Sequence, residues 1–199
     1  DRHSSTRSTN VVFACLNIAA AHNKIDDLLV LRRRHQIDVM FLTEIWHDSD
    51  SVCIRRLRAD GFQVIERARP RRNTNTPLTN HGGVAAVALP GVRLTKLDLG
   101  VALDPIDPSF EFLCVRIASG SSACVVAIVY RPGSKAITSR FWSELSDVLD
   151  RVAAYVDPVY VVGDVNIRLE RPDAARTFND LLAVYGLVGR LVFGDKLYG

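Results

Sequence analysis

Apolar runs of strand length alternate with amphipathic segments in the first third of the chain. Residues 11–17 (VVFACLN) and 37–44 (IDVMFLTE) predict two buried strands. Residues 23–36 place their aliphatic side chains on one side and charges on the other, which predicts a helix that Asn23 could cap. Residues 48–61 predict a second, shorter helix. The order strand, helix, strand, helix indicates inner strands covered by helices.

The middle of the chain has a different pattern, with successive apolar runs and no helical segment between them. Turn-forming residues, rich in glycine, proline, serine and asparagine, separate the runs. We therefore expect an antiparallel meander here. The predicted strands are FQVIER, GVAAVAL, VRLTKLDL, FEFLCVRIA and SACVVAIVY.

The last third returns to alternating helices and strands. Residues 138–155 and 172–186 have the apolar spacing of helices, and the apolar run PVYVVGDVN lies between them. Two halves with helical cover and central strands predict a layered α/β sandwich of two packed mixed sheets. A single doubly wound parallel sheet fits less well, because too many consecutive strands lack crossover helices.

Length and composition further limit the possible domain organisation and class of protein. The 199 residues suit one domain over 11–199, preceded by a polar segment over 1–10 that we interpret as disordered or as a linker remnant. No apolar run approaches the roughly 20 residues of a membrane span. The four cysteines have no metal-site spacing, so we expect buried thiols in a reducing, intracellular compartment.

Charge is distributed unevenly although the net charge is only +3. Residues 55–72 contain seven arginines against two acids, whereas residues 98–111 contain four acids and no base. A positive face and a negative face of this kind would orient a polyanion.

Polar side chains follow four of the predicted buried strands, each at its C-terminal end. Strand ends hold such groups rigidly beside solvent-facing loops, where functional residues gather. Carboxylates, amides and a phenol without sulfur suit Mg²⁺ or Mn²⁺ rather than zinc. A period of two would place Asp164 and Asn166 on one strand face. The residues at the four ends are Asn17, Glu44, Tyr130, Arg131, Asp164 and Asn166.

Several blocks, in order across about residues 11–187, resemble the endonuclease/exonuclease/phosphatase superfamily, which includes deoxyribonuclease I and the apurinic endonucleases. The resemblance is greatest to endonuclease domains of non-LTR (LINE-type) retrotransposons. It implies a four-layered α/β sandwich that is C-terminally truncated here. The blocks are LNIAAAHNKIDDL, IDVMFLTEIWHDSD, HGGVAAVAL, FEFLCVRI, AIVYRPGS and VVGDVNIRL.

The resemblance implies roles for five residues in hydrolysis of a DNA phosphodiester. Glu44 would bind the divalent metal, with Asn17 beside it touching metal or phosphate. Asp164 would activate or orient the attacking water. Asn166 would hold the scissile phosphate, and Tyr130 would hydrogen-bond one of its oxygens. The cofactor would be Mg²⁺, with Mn²⁺ as a substitute.

The partner implied is double-stranded DNA, contacted by arginines through its phosphates. The candidates are Arg69, Arg71 and Arg72 in the basic loop, and Arg131 after the tyrosine. The resemblance further implies a domain of a larger reverse-transcriptase polyprotein that acts in the nucleus.

The sequence also departs from this family. In the family, an Asp-His pair near the end of the domain supplies the catalytic histidine and the acid that orients it, and this chain contains no Asp-His dipeptide. A general acid or base contributes about 10²–10⁴-fold in rate. We therefore expect weak activity from this chain. Two alternatives remain open at this point: a catalytically inactive DNA-binding remnant, and a phosphatase or phospholipase of the same superfamily.

Overall fold

The computed structural model describes residues 10–46, 51–69, 81–104, 107–167 and 172–188. The described residues form eight strands and four helices. In chain order these are β1 (Phe13–Asn17), α1 (Ile25–Arg34), β2 (Val39–Thr43), α2 (Val52–Ala59), β3 (Gln63–Arg67), β4 (Val84–Ala88), β5 (Arg93–Leu97), β6 (Glu111–Ser119), β7 (Ser122–Tyr130), α3 (Ser139–Ala153), β8 (Val159–Asp164) and α4 (Pro172–Val184).

The strands form two four-stranded mixed sheets. The first has the order β1-β2-β4-β3 and the second the order β5-β6-β7-β8. Each sheet contains one parallel pair, β1 with β2 and β7 with β8, and its other pairs are antiparallel. Strands β1 and β2 contact β7 and β8 across the interface between the sheets.

Three apolar layers separate helix, sheet, sheet and helix. In β2, Val39 and Phe41 pack toward the second sheet, whereas Met40 and Leu42 pack with the buried faces of α1 and α2. Both faces of this strand are therefore covered, which explains its continuous apolar sequence. On the far side, α3 packs against the second sheet through residues such as Phe141 and Leu145. The predicted four-layered α/β sandwich is confirmed.

The predicted antiparallel meander is correct for neighbouring strands within each sheet and wrong for the step from β4 to β5. Strands β3 and β4 pair in the first sheet, and β5, β6 and β7 pair in the second. The chain changes sheets at the turn between β4 and β5, which contains Pro90 and Gly91. A short turn between two apolar strands looks alike in sequence whether the strands pair or pass to the next layer, so the pattern could not separate the two.

Three local predictions also need correction. The helix α1 begins at Ile25 with Lys24 as its N-cap, so Asn23 lies one residue too early to cap it. Val30, predicted to face inward, is 59% exposed. Cys15 is exposed, because β1 is an edge strand, whereas the other three cysteines are buried. Of the predicted polar segment over 1–10, only residue 10 lies within the described residues.

The N-terminus of α3 provides a test of local stability. The Thr138 hydroxyl oxygen accepts a hydrogen bond from the backbone N–H of Phe141 at 3.2 Å. Thr138→Ala is expected to lower the free energy of unfolding by about 1 kcal/mol in urea denaturation, because that N–H loses its acceptor. Thr138→Ser keeps the oxygen and is the matched control. An equal loss in the two variants would contradict this role.

Candidate active site

The parallel strand pairs bring the polar strand ends to one place. In the first sheet Asn17 pairs with Thr43, the residue before Glu44. In the second sheet Tyr130 pairs with Asp164. Because parallel strands end at the same edge and the two pairs face each other, the four polar ends meet between the sheets. We call Asn17, Glu44, Tyr130 and Asp164 the strand-end cluster.

Hydrogen bonds connect all four members of the strand-end cluster. The Asn17 amide nitrogen donates to Glu44 Oε1 at 2.8 Å and to Asp164 Oδ2 at 3.1 Å. The Tyr130 hydroxyl donates to the same Glu44 oxygen at 3.0 Å. The Asn17 amide thus links two carboxylates from different sheets, and the Tyr130 phenol links Glu44 to the second sheet. The partial exposure of the two carboxylates leaves them accessible to solvent.

Tyr130 is a hydrogen-bond donor in this arrangement. Its side chain is buried, at 6% exposure. Burial, together with the neighbouring negative charge of Glu44, raises the Tyr130 pKa well above its ordinary value. The hydroxyl therefore stays protonated at neutral pH and can donate to an oxygen anion.

Asn166 lies next to the strand-end cluster, but not for the predicted reason. Strand β8 ends at Asp164, so strand alternation does not place Asp164 and Asn166 on one face. A turn does so instead: the Asn166 backbone N–H donates to Asp164 Oδ1 at 3.0 Å. The Asn166 amide nitrogen donates to the Arg131 carbonyl at 2.8 Å, which ties this turn to the end of β7.

The prediction that Arg131 contacts DNA does not fit its position. The residue is only 3% exposed. Its guanidinium donates to the backbone carbonyls of Pro132, Lys135, Val165 and Asn166. Arg131 therefore joins the loop after β7 to the turn after β8, and it supports Asn166 from inside the protein.

Arg69 lies beside the strand-end cluster, whereas Arg71 and Arg72 fall outside the described residues. The Arg69 guanidinium carbon is 6.0 Å from the centre of the Tyr130 ring. Its side chain forms an ion pair with Glu111, which also accepts from the Gly83 backbone N–H. Gly82 has φ +111°, a backbone conformation that favours glycine, and a β-carbon there would displace the Arg69 guanidinium.

Glu111 is the functional candidate that sequence reasoning missed. It is 7% exposed and lies opposite Tyr130 in the β6–β7 register. From there it fixes Arg69 over the tyrosine ring. The available signal was an acid at the start of an otherwise apolar strand, since a buried carboxylate requires a partner.

The backbone around the site adopts uncommon conformations. Six non-glycine residues in the described ranges have a positive φ angle, and five of these follow the ends of β1, β2 and β8. Glu44 has φ 56° and Asn166 has φ 48°. Such conformations cost on the order of 1–3 kcal/mol each and occur preferentially at functional sites.

The donor set fits a sparsely coordinated Mg²⁺. No group of three or more histidine, cysteine or acidic side chains with metal-site geometry occurs among the described residues. Mg²⁺ is commonly held by one or two carboxylates together with water and substrate phosphate, and Glu44 and Asp164 meet that need. Asn17 uses its amide nitrogen to hold both carboxylates, and its oxygen accepts from the Ala19 N–H, so metal binding by Asn17 stays a prediction.

Comparison with known structures identifies the fold. The endonuclease domain of TRAS1, a telomere-specific non-LTR retrotransposon, aligns with TM-score 0.61 at 9% identity over 86% of this chain and 70% of that one. An AP endonuclease from Archaeoglobus fulgidus aligns with TM-score 0.60 at 16% identity over 88% and 71%. The chain has the endonuclease/exonuclease/phosphatase fold. The human Nocturnin catalytic domain shares it, with TM-score 0.57 at 19% identity over 82% of this chain.

These likenesses, at 9% to 19% identity, concern the fold alone. The chain spans 66% of the Nocturnin domain, slightly less than two thirds of its length. No family model matches the sequence, and no curated protein matches it. Within the described residues, none of the helices has both the length and the apolar character needed to cross a membrane.

Proposed function

We propose that this chain is a Mg²⁺-dependent endonuclease domain of a non-LTR retrotransposon that nicks DNA by hydrolysing a phosphodiester. The observation that carries the proposal is the strand-end cluster, in which side chains from both sheets converge through hydrogen bonds. Support also comes from the retrotransposon endonuclease domain and the AP endonuclease among the structures of the same fold.

Each side chain of the site would have its own role in the reaction. Asp164 would accept a proton from the attacking water, or orient that water toward phosphorus. Tyr130, protonated at neutral pH, would donate to a non-bridging phosphate oxygen. Asn166, fixed by Asp164 and Arg131, would hold the scissile phosphate. Asn17 would keep the two carboxylates at their separation. Donors held rigidly in this way stabilise charge that develops in the transition state.

Glu44 would hold the Mg²⁺, with Asp164 and Asn17 nearby. A bound Mg²⁺ would stabilise negative charge on the phosphate oxygens and thereby assist attack and departure. We further propose that the domain belongs to a reverse-transcriptase polyprotein and acts on double-stranded DNA in the nucleus. Arg69 would lie on the side of the domain that faces the DNA.

The test is nicking of supercoiled plasmid with Mg²⁺, and with EDTA in place of the metal. We expect slow nicking that requires Mg²⁺. Tyr130→Phe is expected to reduce the rate about tenfold to a hundredfold, the effect of losing one hydrogen bond to a charged group. Tyr160→Phe is the matched control, because Tyr160 is 48% exposed on β8 and lies outside the strand-end cluster.

Other outcomes would reject the proposal in favour of a named alternative. Salt-sensitive DNA binding without Mg²⁺-dependent cleavage would indicate an inactive DNA-binding remnant. Hydrolysis of inositol phosphates with intact plasmid would indicate a phosphatase. Nicking at the wild-type rate by Tyr130→Phe would show that the cleavage does not come from this site.

A further inference from the structure

Glu111 is a buried carboxylate that connects the two sheets beside the strand-end cluster. It begins β6 in the second sheet and is 7% exposed. Its two oxygens accept from groups that flank the first sheet. The Arg69 guanidinium, which follows β3, donates to Oε1, and the Gly83 backbone N–H, which precedes β4, donates to Oε2. Both carboxylate oxygens therefore have a partner, as a buried acid requires.

The groups that Glu111 holds lead to two parts of the strand-end cluster. The Arg69 guanidinium carbon lies 6.0 Å from the centre of the Tyr130 ring. The Gly83 carbonyl accepts at 3.4 Å from the backbone N–H of Ile45, the residue that follows the carboxylate proposed to hold Mg²⁺. One buried acid thus supports the surroundings of both the phenol and the candidate metal ligand.

The position of Arg69 suits contact with a substrate phosphate. Its side chain is 29% exposed although Glu111 holds it, so a substrate can reach part of it. Its charge also acts on the Tyr130 hydroxyl: burial raises the Tyr130 pKa, the Glu44 carboxylate raises it further, and Arg69 opposes both. A guanidinium has five N–H donors in one plane, so it can bind an anionic phosphate while one N–H stays on a carboxylate.

A role limited to joining the sheets explains these contacts less well. A buried ion pair adds little net stability, because the desolvation of both charges offsets their attraction, and apolar side chains can replace it. Glu44 and Asp164 would repel an approaching phosphodiester, so a cation beside the phenol favours substrate binding. Arg131 is only 3% exposed, so Arg69 is the better placed of these two arginines to supply that charge.

We propose that Arg69 binds the scissile phosphodiester next to the Tyr130 hydroxyl, and that Glu111 is the positioning residue that holds Arg69 there. Arg69 would keep its Nε–H on Glu111 and donate to phosphate oxygens from its terminal nitrogens. The inference rests on the proposed function, and it gives the buried ion pair a part in substrate binding.

Binding of a short DNA duplex in EDTA tests the phosphate contact without cleavage. Arg69→Gln is expected to weaken binding and to reduce the dependence of log K on the logarithm of salt concentration by about one, the effect of losing one phosphate contact. Arg116→Gln is the matched control: Arg116 is paired with Asp157, which precedes β8, whereas the strand-end cluster lies where β8 ends. The control should keep the wild-type slope. A wild-type slope for Arg69→Gln would overturn the phosphate contact.

Glu111→Gln separates positioning from charge. The variant removes a negative charge, so long-range electrostatics alone would strengthen DNA binding, whereas loss of the hold on Arg69 would weaken it. We expect binding in EDTA to weaken about tenfold, as for a lost hydrogen bond to a charged group. Asp157→Asn makes the same change of charge away from the site and should not weaken binding. Binding by Glu111→Gln as tight as by the wild type, or tighter, would overturn the positioning role.

A double-variant cycle on plasmid nicking checks that Glu111 acts through Arg69. Glu111→Gln is expected to slow nicking about tenfold in the wild-type background and to have no further effect in Arg69→Gln, where the group it positions is gone. Equal losses in the two backgrounds would indicate a merely structural role.

A pair of double variants covers the case in which a single variant fails to fold. Arg69→Gln with Glu111→Gln leaves no unpaired buried charge, and Arg116→Gln with Asp157→Asn is its control. The first is expected to lower the salt slope by about one and the second to keep it. Equal slopes for the two would overturn the phosphate contact.

The binding and cleavage assays keep this inference separate from the nuclease proposal. A reduced salt slope in Arg69→Gln, with no nicking by the wild type, would support the phosphate contact and reject the nuclease. Mg²⁺-dependent nicking by the wild type, with an unchanged slope in Arg69→Gln, would support the nuclease and reject the contact.

Discussion

A Gly163→Ala variant is expected to lose on the order of 4 kcal/mol of folding free energy, or to fail to fold. Gly163 has φ +127°, and a β-carbon there would overlap the Val129 carbonyl oxygen of the neighbouring strand. Both residues are backbone-paired in the β7–β8 register, so neither can move without breaking that pair. Urea denaturation followed by circular dichroism would measure the loss.

The matched control for this prediction is Gly120→Ala. Gly120 also has a positive φ, +57°, but a β-carbon there meets no described heavy atom within 4 Å. Gly120→Ala should therefore lose only the free energy of placing alanine in a left-handed backbone conformation, about 1–2 kcal/mol. Similar losses in the two variants would show that the close approach at Gly163 does not constrain the chain. The position matters for the site, since the next residue is Asp164.

The second large effect concerns the two carboxylates of the strand-end cluster. Glu44→Ala and Asp164→Asn are each expected to reduce Mg²⁺-dependent nicking by about 10²–10⁴-fold. The double variant should lose little more activity than the less active of the two single variants, because the effects of groups that act as a unit are not additive. Glu44→Ala should also weaken Mg²⁺ binding in isothermal titration, a readout that does not depend on turnover.

Asp180→Asn is the control, since Asp180 is exposed on α4 outside the site. It should keep the wild-type nicking rate and the wild-type Mg²⁺ affinity. Fully additive losses in the double variant would mean that Glu44 and Asp164 serve separate sites. Unchanged Mg²⁺ affinity in Glu44→Ala would reject the metal-binding role.

The convergence of the strand ends could be predicted because it depends on a general rule. Parallel strands end at one sheet edge, and a polar residue at the end of an apolar strand has to lie at that edge. Asn17, Glu44, Tyr130 and Asp164 therefore follow from the apolar runs that precede them. The resemblance to a known family supplied their roles, which stay predictions.

The supporting residues could not be predicted in the same way. In sequence, Arg131 is an arginine beside a candidate catalytic tyrosine, which suggested a DNA contact. In the structure, carbonyls from two separate turns point inward at one place, and a buried donor satisfies them. Glu111 likewise acts through Arg69 and Gly83, each about thirty or more positions away in sequence. Such contacts depend on how loops pack against each other, which the hydrophobic periodicity of the sequence does not indicate.

The left-handed backbone at Glu44 and Asn166 has a consequence for how this protein could evolve. Glycine would occupy either conformation with less backbone strain, but it would also remove the acceptor of the Asn17 and Tyr130 hydrogen bonds and the amide that donates to the Arg131 carbonyl. Under the proposed function, selection for activity keeps a carboxylate and an amide at these two strained positions. A lineage released from that selection should tolerate substitution there, while the apolar layers beneath them persist.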